Sequence, residues 1–366
     1  MLPIRVVMLV DLDYFYAQIE EIRNPSIKDK PVVVCVYSGR TKDSGVVSTA
    51  NYIARSYGVK SGIPIVLAKK KLEDIDSVFL PMNHDFYKEV SDRVMRILKT
   101  FAGNLEQEGI DEAYLDVTVR TDENFDKAGL LGMEIKKAVK EQEGLSCSVG
   151  IGPNKLVAKI AADIKKPDGL TVVRPDEVEQ FFGPLPVDRL LGVGKKTSEK
   201  LAEMGIVTVS DLANYDVKSL VGCFGKGLGS YLHDASRGID QDPVEDRGDS
   251  ESISRIATLK EDTRDLATIT EKTDRLCEDV YAKLKQRGVS FKLIGVVAVM
   301  KDLSILTRSK TLNDAVNDPS LLKSEVDELF KKLVKETDKE VRRAGVRVSC
   351  FVEERGQQKQ LTSFLK

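Results

Sequence analysis

The sequence predicts an α+β protein of several domains. The chain has 366 residues, enough for more than one hydrophobic core, and 42% of them are hydrophobic. Apolar β-branched runs alternate with helical patterns, but without the regular strand–helix–strand order of a parallel sheet, so we expect an antiparallel or mixed sheet. From residue 188 the pattern changes to short helices and glycines. Segment 239–251 holds six acidic residues with Pro and Gly among them, and it is predicted to be a solvated linker.

Hydrophobic periodicity predicts the elements of the first part of the chain. An apolar run leads into Asp11, which is expected at the end of a central strand, and Asp13 is predicted to cap the helix that follows. Pro167 is expected to end the last helix of this part. In order, the pattern predicts a strand over 4–10, a helix over 14–22, a strand over 31–39, helices over 50–59 and 86–102, a strand within 108–118, a helix over 126–142, a strand over 146–152 and a helix over 155–167.

Two glycine-containing segments in the middle of the chain resemble each other at a period of 30 residues. LLGVGKKTSEKLAEMGI (190–206) and LVGCFGKGLGSYLHDASRGI (220–239) each predict a helix-hairpin-helix. Glycines permit a tight turn that brings helix N-terminal amides close to a phosphate. An ordinary Gly-capped helix pair would look similar, but the tandem copy favours nucleic-acid binding. The expected phosphate contacts are Gly192, Gly194, Lys195 and Lys196.

The segment 252–350 predicts a small α/β domain with basic strands. Helices are expected over 271–287 and 320–336, between strands. Residues 283–310 carry seven Lys or Arg against one acid. The strands therefore form either a solvated sheet face or a groove for a phosphate backbone, and the concentration of charge on strands favours the groove at least equally. The candidate contacts are Lys292, Arg308, Lys310, Arg342 and Arg347.

The composition excludes several classes of site. With two histidines, His84 and His233, a Ser-His-Asp triad or a multi-histidine zinc site is nearly excluded. The five cysteines form no C-x-x-C motif, which favours reduced core residues in the cytosol. The N-terminus has no signal-peptide pattern, and no apolar run is long enough to span a membrane. We therefore expect a cytoplasmic protein that does not interact with a membrane.

EGIDEAYLDVT (108–118) places two acids side by side in an apolar strand. Burying Asp111 and Glu112 without a partner would cost free energy. Either their side chains are exposed to solvent at a strand end, or they bind a divalent metal ion. If this strand neighbours the one ending at Asp11, three carboxylates converge at one sheet edge. They would repel one another strongly, so the arrangement is expected only where a bound metal ion offsets the repulsion. Two Mg²⁺ ions held in this way are a standard device for nucleotidyl transfer.

At these residues the chain resembles a known family. It is similar to the Y-family translesion DNA polymerases, most of all to the archaeal polymerase IV (DinB) branch, between residues 6 and 347. Five segments carry the resemblance: VDLDYFYAQIEE, TANYIARSYGVKSGIP, IDEAYLDV, VGIGPNKLVAKIAADIKKPDG and LLGVGKKTSEKL. The resemblance implies low-fidelity, template-directed DNA synthesis on primer-template DNA with dNTP substrates.

The same resemblance implies a right-hand architecture with an additional domain. Its parts are a palm over 1–23 and 82–173, fingers over 24–81, a helix-hairpin-helix thumb over 174–238, the acidic linker over 239–251, an α/β little finger over 252–350 and a tail over 351–366. We expect a monomer.

Site residues are likewise implied position by position. Asp11, Asp111 and Glu112 match the metal-binding carboxylates, with the Leu12 carbonyl as a further ligand, for two Mg²⁺ ions that Mn²⁺ can replace. Tyr16 matches the steric gate that excludes a ribose 2′-OH. The expected nucleotide-binding residues are Tyr14, Phe15, Tyr16, Thr49, Tyr52, Arg55 and Lys166, of which Tyr52, Arg55 and Lys166 match triphosphate contacts.

The chain departs from the family pattern at three positions. Gly109 stands where relatives usually have serine, and Val46 and Ser48 stand over the nascent base pair where alanine is frequent. The first departure removes any hydrogen bond that serine makes, without an expected loss of metal binding. The other two leave lesion tolerance open.

Two competing functions fit parts of the sequence. Asp11-Leu12-Asp13 is a D-x-D that can hold the metal of a nucleotide-sugar glycosyltransferase, but that class does not explain the tandem hairpins or the basic C-terminal domain. A DNA-binding scaffold with a silent palm would have no reason to keep three carboxylates together with Tyr52 and Arg55.

The tail RGQQKQLTSFLK suggests a further partner. Gln358, Leu361, Phe364 and Leu365 follow the spacing of a peptide that docks on the PCNA sliding clamp, with leucine in the final aromatic position. Gln360-Leu361 followed by Phe364 also resembles the bacterial clamp motif, so PCNA is preferred and a bacterial-type clamp stays an alternative. A frayed terminus is the simpler interpretation.

Overall fold

The computed structural model describes residues 5–246, 248 and 250–353. Its contacts divide the chain into two units. The first unit comprises Met1–Cys35, Val47–Ile63 and Ala68–Arg247. The second comprises Val36–Val46, Pro64–Leu67 and Gly248–Lys366. Within the described residues, no helix is long and apolar enough to cross a membrane.

The elements up to residue 235 are a mixture of strands and helices that ends in four successive helices. In order, they are β1 (Val7–Leu12), α1 (Phe15–Arg23), β2 (Val32–Tyr37), β3 (Gly45–Ala50), α2 (Tyr52–Ser56), α3 (Ile65–Lys71), β4 (Val78–Pro81), α4 (His84–Lys99), β5 (Asn104–Gln107), β6 (Glu112–Asp116), α5 (Phe125–Glu143), β7 (Cys147–Gly152), α6 (Lys155–Ile164), β8 (Leu170–Val172), α7 (Val178–Phe182), α8 (Lys195–Glu203), α9 (Val209–Ala213) and α10 (Val217–Ala235).

The central sheet of the first unit has five strands in the order β5-β6-β1-β7-β8. β1 pairs antiparallel with β6 and β7, whereas β7 and β8 are parallel. The expectation of an antiparallel or mixed sheet is confirmed, because this sheet is mixed. A smaller sheet has the order β3-β2-β4, in which β2 and β4 are parallel.

Both faces of β1 are buried, as its unbroken apolar sequence predicts. Met8 and Val10 belong to the core that includes residues of α4 and α5. Val7 and Leu9 point to the opposite face, where they cluster with Ala158 of α6. Alternation along a strand then puts the next odd-numbered residue, Asp11, on the α6 side of the sheet.

α6 lies against the sheet because β7 has glycine at the crossing. A Cβ built on Gly150 would be 2.1 Å from the Ala158 carbonyl oxygen and 2.2 Å from the Ala162 amide nitrogen. No side chain fits there, so the helix backbone touches the strand directly. Asn154 caps the start of the helix by accepting from the Val157 amide at 3.0 Å.

The two hairpin segments differ in their first half. A left-handed glycine precedes the second helix of each: Gly192 (φ 77°) before α8, and Gly225 (φ 79°), which divides α10 into two helical parts. The segment before α8 is a short 3₁₀ turn over Val187–Arg189, whereas the segment before Gly225 is helical. The prediction of turns at these glycines agrees with the structure.

The second unit contains a four-stranded antiparallel sheet in the order β11-β10-β12-β9. Residues of both helices and of alternate strand positions share one core, so the helices pack on the same face of the sheet. The elements are β9 (Ser252–Thr263), α11 (Leu266–Arg287), β10 (Val289–Met300), β11 (Ile305–Val316), α12 (Pro319–Lys335) and β12 (Val341–Glu353). β9 was not among the predicted strands.

Two local predictions are wrong. Asp13 does not cap α1: the N-cap is Tyr14 in a left-handed conformation (φ 36°), and Asp13 instead accepts from Ser146 Oγ at 2.9 Å and Ser148 Oγ at 2.7 Å. The acidic linker is not solvated throughout, because Val244 is 3% exposed and packs against Val7 and other residues of the sheet. Burial of Val244, together with hydrogen bonds such as that from the Leu156 amide to Asp240 at 3.1 Å, attaches this acidic segment to the sheet and α6.

Candidate active site

The predicted carboxylates come together at the end of β1. Asp11 lies directly opposite Glu112 in the β1–β6 register, and the Leu12 amide donates to the Asp111 carbonyl at 2.8 Å. Paired residues of antiparallel strands project to the same face, so Asp11 and Glu112 share the side covered by α6. Asp11 and Glu112 line a cavity of about 390 Å³, and Asp111 and Leu12 line it as well.

Two lysines of the α6 region face these acids. Lys159 Nζ contacts Glu112 Oε2 and lies 3.3 Å from Asp11 Oδ2. Lys166 Nζ lies 2.6 Å from the same Asp11 oxygen and 2.9 Å from Asp163. These two cations therefore neutralise part of the negative charge of the site acids within the protein.

The pKa values follow from burial and from this charge pattern. Burial raises the pKa of Asp111, and the nearby Asp11 charge raises it further. Burial also raises the pKa of Glu112, against the opposing effect of Lys159. Burial alone would lower the pKa of Lys159, but the charges of Asp11 and Glu112 outweigh it and raise that pKa.

The donor set fits magnesium in its chemistry. Carboxylate and carbonyl oxygens are the hard ligands that Mg²⁺ prefers, and Asp11, Leu12, Asp111 and Glu112, which all line the cavity, can supply them. In the part of the chain that the structure describes, no three acidic, His or Cys side chains are already arranged as a metal site. A metal ion bound to Asp11 Oδ2 and Glu112 Oε2 would compete with the Lys159 ammonium for these two oxygens.

The predicted nucleotide residues line the same cavity. Thr49, Tyr52, Arg55 and Lys166 all line it. The guanidinium of Arg55 lies 4.8 Å from the centre of the Tyr52 ring, and its Nε donates to the Ala50 carbonyl at 2.8 Å. The Tyr52 hydroxyl is buried and has no hydrogen-bond partner among the described residues. A buried hydroxyl in this state is one that a ligand oxygen would satisfy.

A buried polar network fixes the helix that presents these groups. Asn51 caps α2 by accepting from the Ala54 amide at 2.9 Å, and its amide nitrogen donates to Glu21 Oε1 at 2.7 Å. The Tyr14 hydroxyl donates to the other Glu21 oxygen at 3.1 Å. Burial is the main cause that raises the pKa of Glu21. This support by Glu21 and Asn51 was not predicted from the sequence.

The predicted steric gate is held rigidly. The Tyr16 ring stacks on Tyr87 with a centroid separation of 4.5 Å and an interplanar angle of 18°, and Tyr87 donates to Glu20 at 2.8 Å. Tyr16 also lines the cavity. The side chain of Phe15, in contrast, is buried in the core, and that of Tyr14 is bonded to Glu21, so backbone atoms are what these two residues can offer a nucleotide.

Comparisons with known proteins agree along the whole chain. Residues 10–163 match the impB/mucB/samB family, 250–362 match the C-terminal domain of that family, and 188–240 match a DNA polymerase-iota thumb domain. DNA polymerase IV of Nitrosopumilus maritimus is 45% identical over 98% of this chain and 99% of the relative. DNA polymerase IV 1 of Methanosarcina mazei is 47% identical over 96% of this chain and 98% of the relative.

Solved structures give the same result. The Y-family DNA polymerase chimera Dbh-Dpo4(243-245)-Dbh is 37% identical with a TM-score of 0.89, covering 95% of this chain and 100% of the chimera. The insertion ternary complex of Dbh DNA polymerase is 37% identical with a TM-score of 0.70 over the same shares. The chain belongs to the Y family of DNA polymerases.

Family membership confirms the resemblance and the right-hand fold. The chain is a DNA-directed DNA polymerase of the low-fidelity, translesion class, in the polymerase IV group of its archaeal relatives. The glycosyltransferase and silent-scaffold alternatives are set aside.

The C-terminal sheet of this Y-family chain divides its basic residues between two faces. Arg308 and Lys310 lie opposite the core residues Val296 and Ile294 in the β10–β11 register, which places them on the helix side. Arg308 contacts Glu336, and Lys310 lies 2.6 Å from Glu325 of α12. Their predicted role as phosphate contacts therefore loses support, because acids on the covered side already neutralise them.

The other face presents a different set of residues. Arg347 is exposed and lies opposite Gly295 of β10, away from the helix side. Arg343, which the sequence analysis did not single out, is exposed on the same face. Arg342 is 3.7 Å from Asp262, and Lys292 lies where the β10 register shifts. Strand periodicity around the core residues could have identified Arg343.

The thumb residues lie at the start of α8. Lys195 begins the helix with a side chain that is 89% exposed, and Gly194 is its N-cap. A Cβ on Gly194 would meet nothing within 4 Å, so a ligand can approach the backbone there. Gly192 has the left-handed turn conformation, and Lys196 follows on the exposed surface. The clamp residues Gln358, Leu361, Phe364 and Leu365 lie outside the described residues.

Proposed function

We propose that the cavity beside β1, β6 and α2 is the site of nucleotidyl transfer. The primer 3′-oxygen forms a bond to the α-phosphorus of a dNTP, and the bond to the pyrophosphate leaving group breaks. The observation that carries this proposal is the shared cavity: Asp11, Asp111 and Glu112 line it together with Tyr52 and Arg55. One cavity thus combines carboxylates suited to metal with a cation and a hydroxyl suited to phosphate.

Asp11, Asp111 and Glu112, together with the Leu12 carbonyl, would hold two Mg²⁺ ions, for which Mn²⁺ can substitute. When bound, such ions make the 3′-OH more acidic and stabilise the leaving pyrophosphate. The protein contributes the position of these oxygens, since paired strands β1 and β6 carry them. Burial of Asp11, which is 6% exposed, keeps bulk water from competing for its oxygens.

The triphosphate would bind to the wall formed by α2 and its surroundings. The unpartnered Tyr52 hydroxyl can donate to a phosphate oxygen, and Arg55 lies beside it at a fixed orientation. Lys166 supplies a further cation, and Thr49 a further hydroxyl, on the same cavity. The stacked ring of Tyr16 would exclude a ribose 2′-OH because Tyr87 leaves it no room to move away.

DNA would be held through its backbone and largely without regard to sequence. The exposed arginines Arg343 and Arg347 and the α8 start at Gly194 and Lys195 offer cations and amides to phosphates. Binding should therefore weaken steeply as the salt concentration rises.

The remaining partners follow from the tail and from the reaction. We propose that residues 358–365 tether the polymerase to a sliding clamp, PCNA in preference to a bacterial-type clamp, and that the enzyme acts as a cytoplasmic monomer. A tether raises the local concentration at the primer end. Deleting residues 357–366 should leave basal extension intact and remove stimulation by loaded clamp. Equal stimulation of the truncated enzyme would mean that the tail has no such role.

Primer extension of an Asp111→Asn variant tests the active-site assignment. The substitution keeps the shape but removes a carboxylate charge, so extension should fall by at least about 100-fold while DNA affinity changes little. Asp116→Asn is the matched control, since Asp116 lies further along β6 and accepts from the Thr118 amide, as asparagine also can. Near-normal extension by the Asp111 variant would refute the assignment.

A further inference from the structure

Lys159 has an unusual place in the carboxylate cluster. Its ammonium contacts Glu112 and lies 3.3 Å from Asp11, so that one cation bridges acids from two adjacent strands. The side chains are mostly buried, with 17% exposure for Lys159 and 9% for Asp11. A divalent ion that binds the same two carboxylates would therefore compete with the Lys159 ammonium.

Packing of α6 against the sheet fixes the position from which Lys159 reaches the two acids. Ala158 and Ala162 flank Lys159 on α6 and are buried against the sheet. The backbone of α6 touches Gly150 directly, so an outward shift of the helix would break this contact. Lys166 differs from Lys159, because Asp163 at 2.9 Å can retain its ammonium if Asp11 binds another cation.

We propose that Lys159 is a built-in counter-cation that competes with a divalent metal ion for Asp11 and Glu112. This inference rests on the proposed metal site. Before nucleotide arrives, the lysine stabilises the converging acids and keeps metal binding weak. A triphosphate brings negative charge into the same cavity, which offsets the displaced ammonium. Lys159 therefore makes metal binding depend on nucleotide binding, a positive coupling between the two ligands.

Calorimetric titration of the full chain with Mn²⁺, without DNA or nucleotide, tests this directly. Lys159→Met removes the competing charge, so Mn²⁺ should bind on the order of tenfold more tightly. Lys159→Arg keeps the charge and should bind Mn²⁺ as weakly as the unaltered chain. Lys165→Met, which removes one exposed positive charge at the C-cap of the same helix, should change the affinity less than about twofold.

Two further measurements separate charge competition from a structural role. The increase in Mn²⁺ affinity on adding a nonhydrolysable dNTP should shrink by about tenfold in Lys159→Met. Its melting temperature in EDTA should fall, because the acids then repel each other, and Mn²⁺ should restore more of it than in the unaltered chain. If the methionine variant does not fold in EDTA, Lys159→Gln repeats the titration with the same expected increase.

Unchanged or weaker Mn²⁺ binding in the charge-removing variants would overturn the inference, since it would make Lys159 a support of the metal site. Failure of the proposed metal site would look different. In that case Asp111→Asn would titrate like the unaltered chain. Loss of Mn²⁺ binding in Asp111→Asn with no effect of Lys159→Met would instead overturn only the role given to Lys159.

Discussion

The palm sheet and the C-terminal sheet both carry charged residues on antiparallel strands, but their charges meet different surroundings. In the palm sheet, α6 covers the face with Asp11 and Glu112, and Lys159 meets those charges inside the protein. In the C-terminal sheet, both helices cover one face, and Arg347 on the other face stays exposed. The face that a residue occupies, and not the number of charges in its segment, decides whether it binds protein or ligand.

The largest expected difference between the two sheets concerns the stability of their ion pairs. Lys155 and Glu106 form a buried pair at 3.1 Å, whose side chains are 10% and 2% exposed. Lys155→Met removes the cation beside a buried carboxylate, so it should lower the free energy of unfolding by about 3–5 kcal/mol. Lys310→Met removes a more exposed pair with Glu325 and should cost less than about 1 kcal/mol. Urea denaturation followed by circular dichroism measures both; equal losses would contradict the comparison.

A second prediction concerns the rigid aromatic wall of the palm. Tyr16→Ala opens space where the stacked ring now stands, so incorporation of ribonucleotides relative to deoxyribonucleotides should rise by roughly 10–200-fold. Single-nucleotide insertion kinetics with matched rNTP and dNTP give this ratio. Tyr37→Ala is a suitable control, because that tyrosine lies outside the cavity lining. A ratio that stays at the value of the unaltered enzyme would place the gate at another residue.

The palm was predictable where local pattern and burial agree. The apolar run before Asp11 and the apolar segment around the paired acids after Ile110 predicted two strands; their adjacency was only a condition of the metal-site hypothesis, and the structure shows that they pair. Lys159 was not predicted, because a lysine in an amphipathic helix normally faces solvent. Its orientation depends on the contact between α6 and Gly150, which is a long-range packing fact that periodicity within the helix does not contain.

In the C-terminal sheet, the sequence pattern did not show which basic residues face outward. A count of basic residues over 283–310 predicted a charged surface but combined both faces of the strands. Arg308 and Arg347 lie on different faces of the sheet: Arg308 pairs with the core residue Val296, whereas Arg347 pairs with Gly295. Val244 was missed for a related reason: one apolar residue in an acidic segment carries no period, yet it is 3% exposed.

The third prediction compares the two faces directly. Arg347→Ala removes an exposed cation and should weaken binding of primer-template DNA by roughly 3–10-fold, with a salt dependence reduced by about one phosphate contact. Arg308→Ala should change the affinity less than about twofold, because Glu336 already neutralises that side chain. Fluorescence anisotropy over a series of salt concentrations measures both effects. If Arg308→Ala were the more damaging, the assignment of the DNA-facing side would be reversed.

The smallest expected effect tests why the exposed face has glycine beside Arg347. A Cβ on Gly295 would meet the Arg308 carbonyl oxygen at 3.6 Å and Ser309 Cβ at 3.8 Å, which are ordinary contacts, so packing does not require glycine there. Gly345 is different, since its Cβ would be 3.2 Å from Ile256 and must push that residue aside. Gly295→Val should therefore leave the melting temperature unchanged or slightly higher, because valine favours strands. Its side chain would stand out from the face that receives DNA, and affinity should fall by about two- to fivefold without a change in salt dependence. An unaltered affinity for DNA in this variant, measured beside Arg347→Ala, would mean that DNA contacts the arginine side chains without approaching the sheet backbone at Gly295.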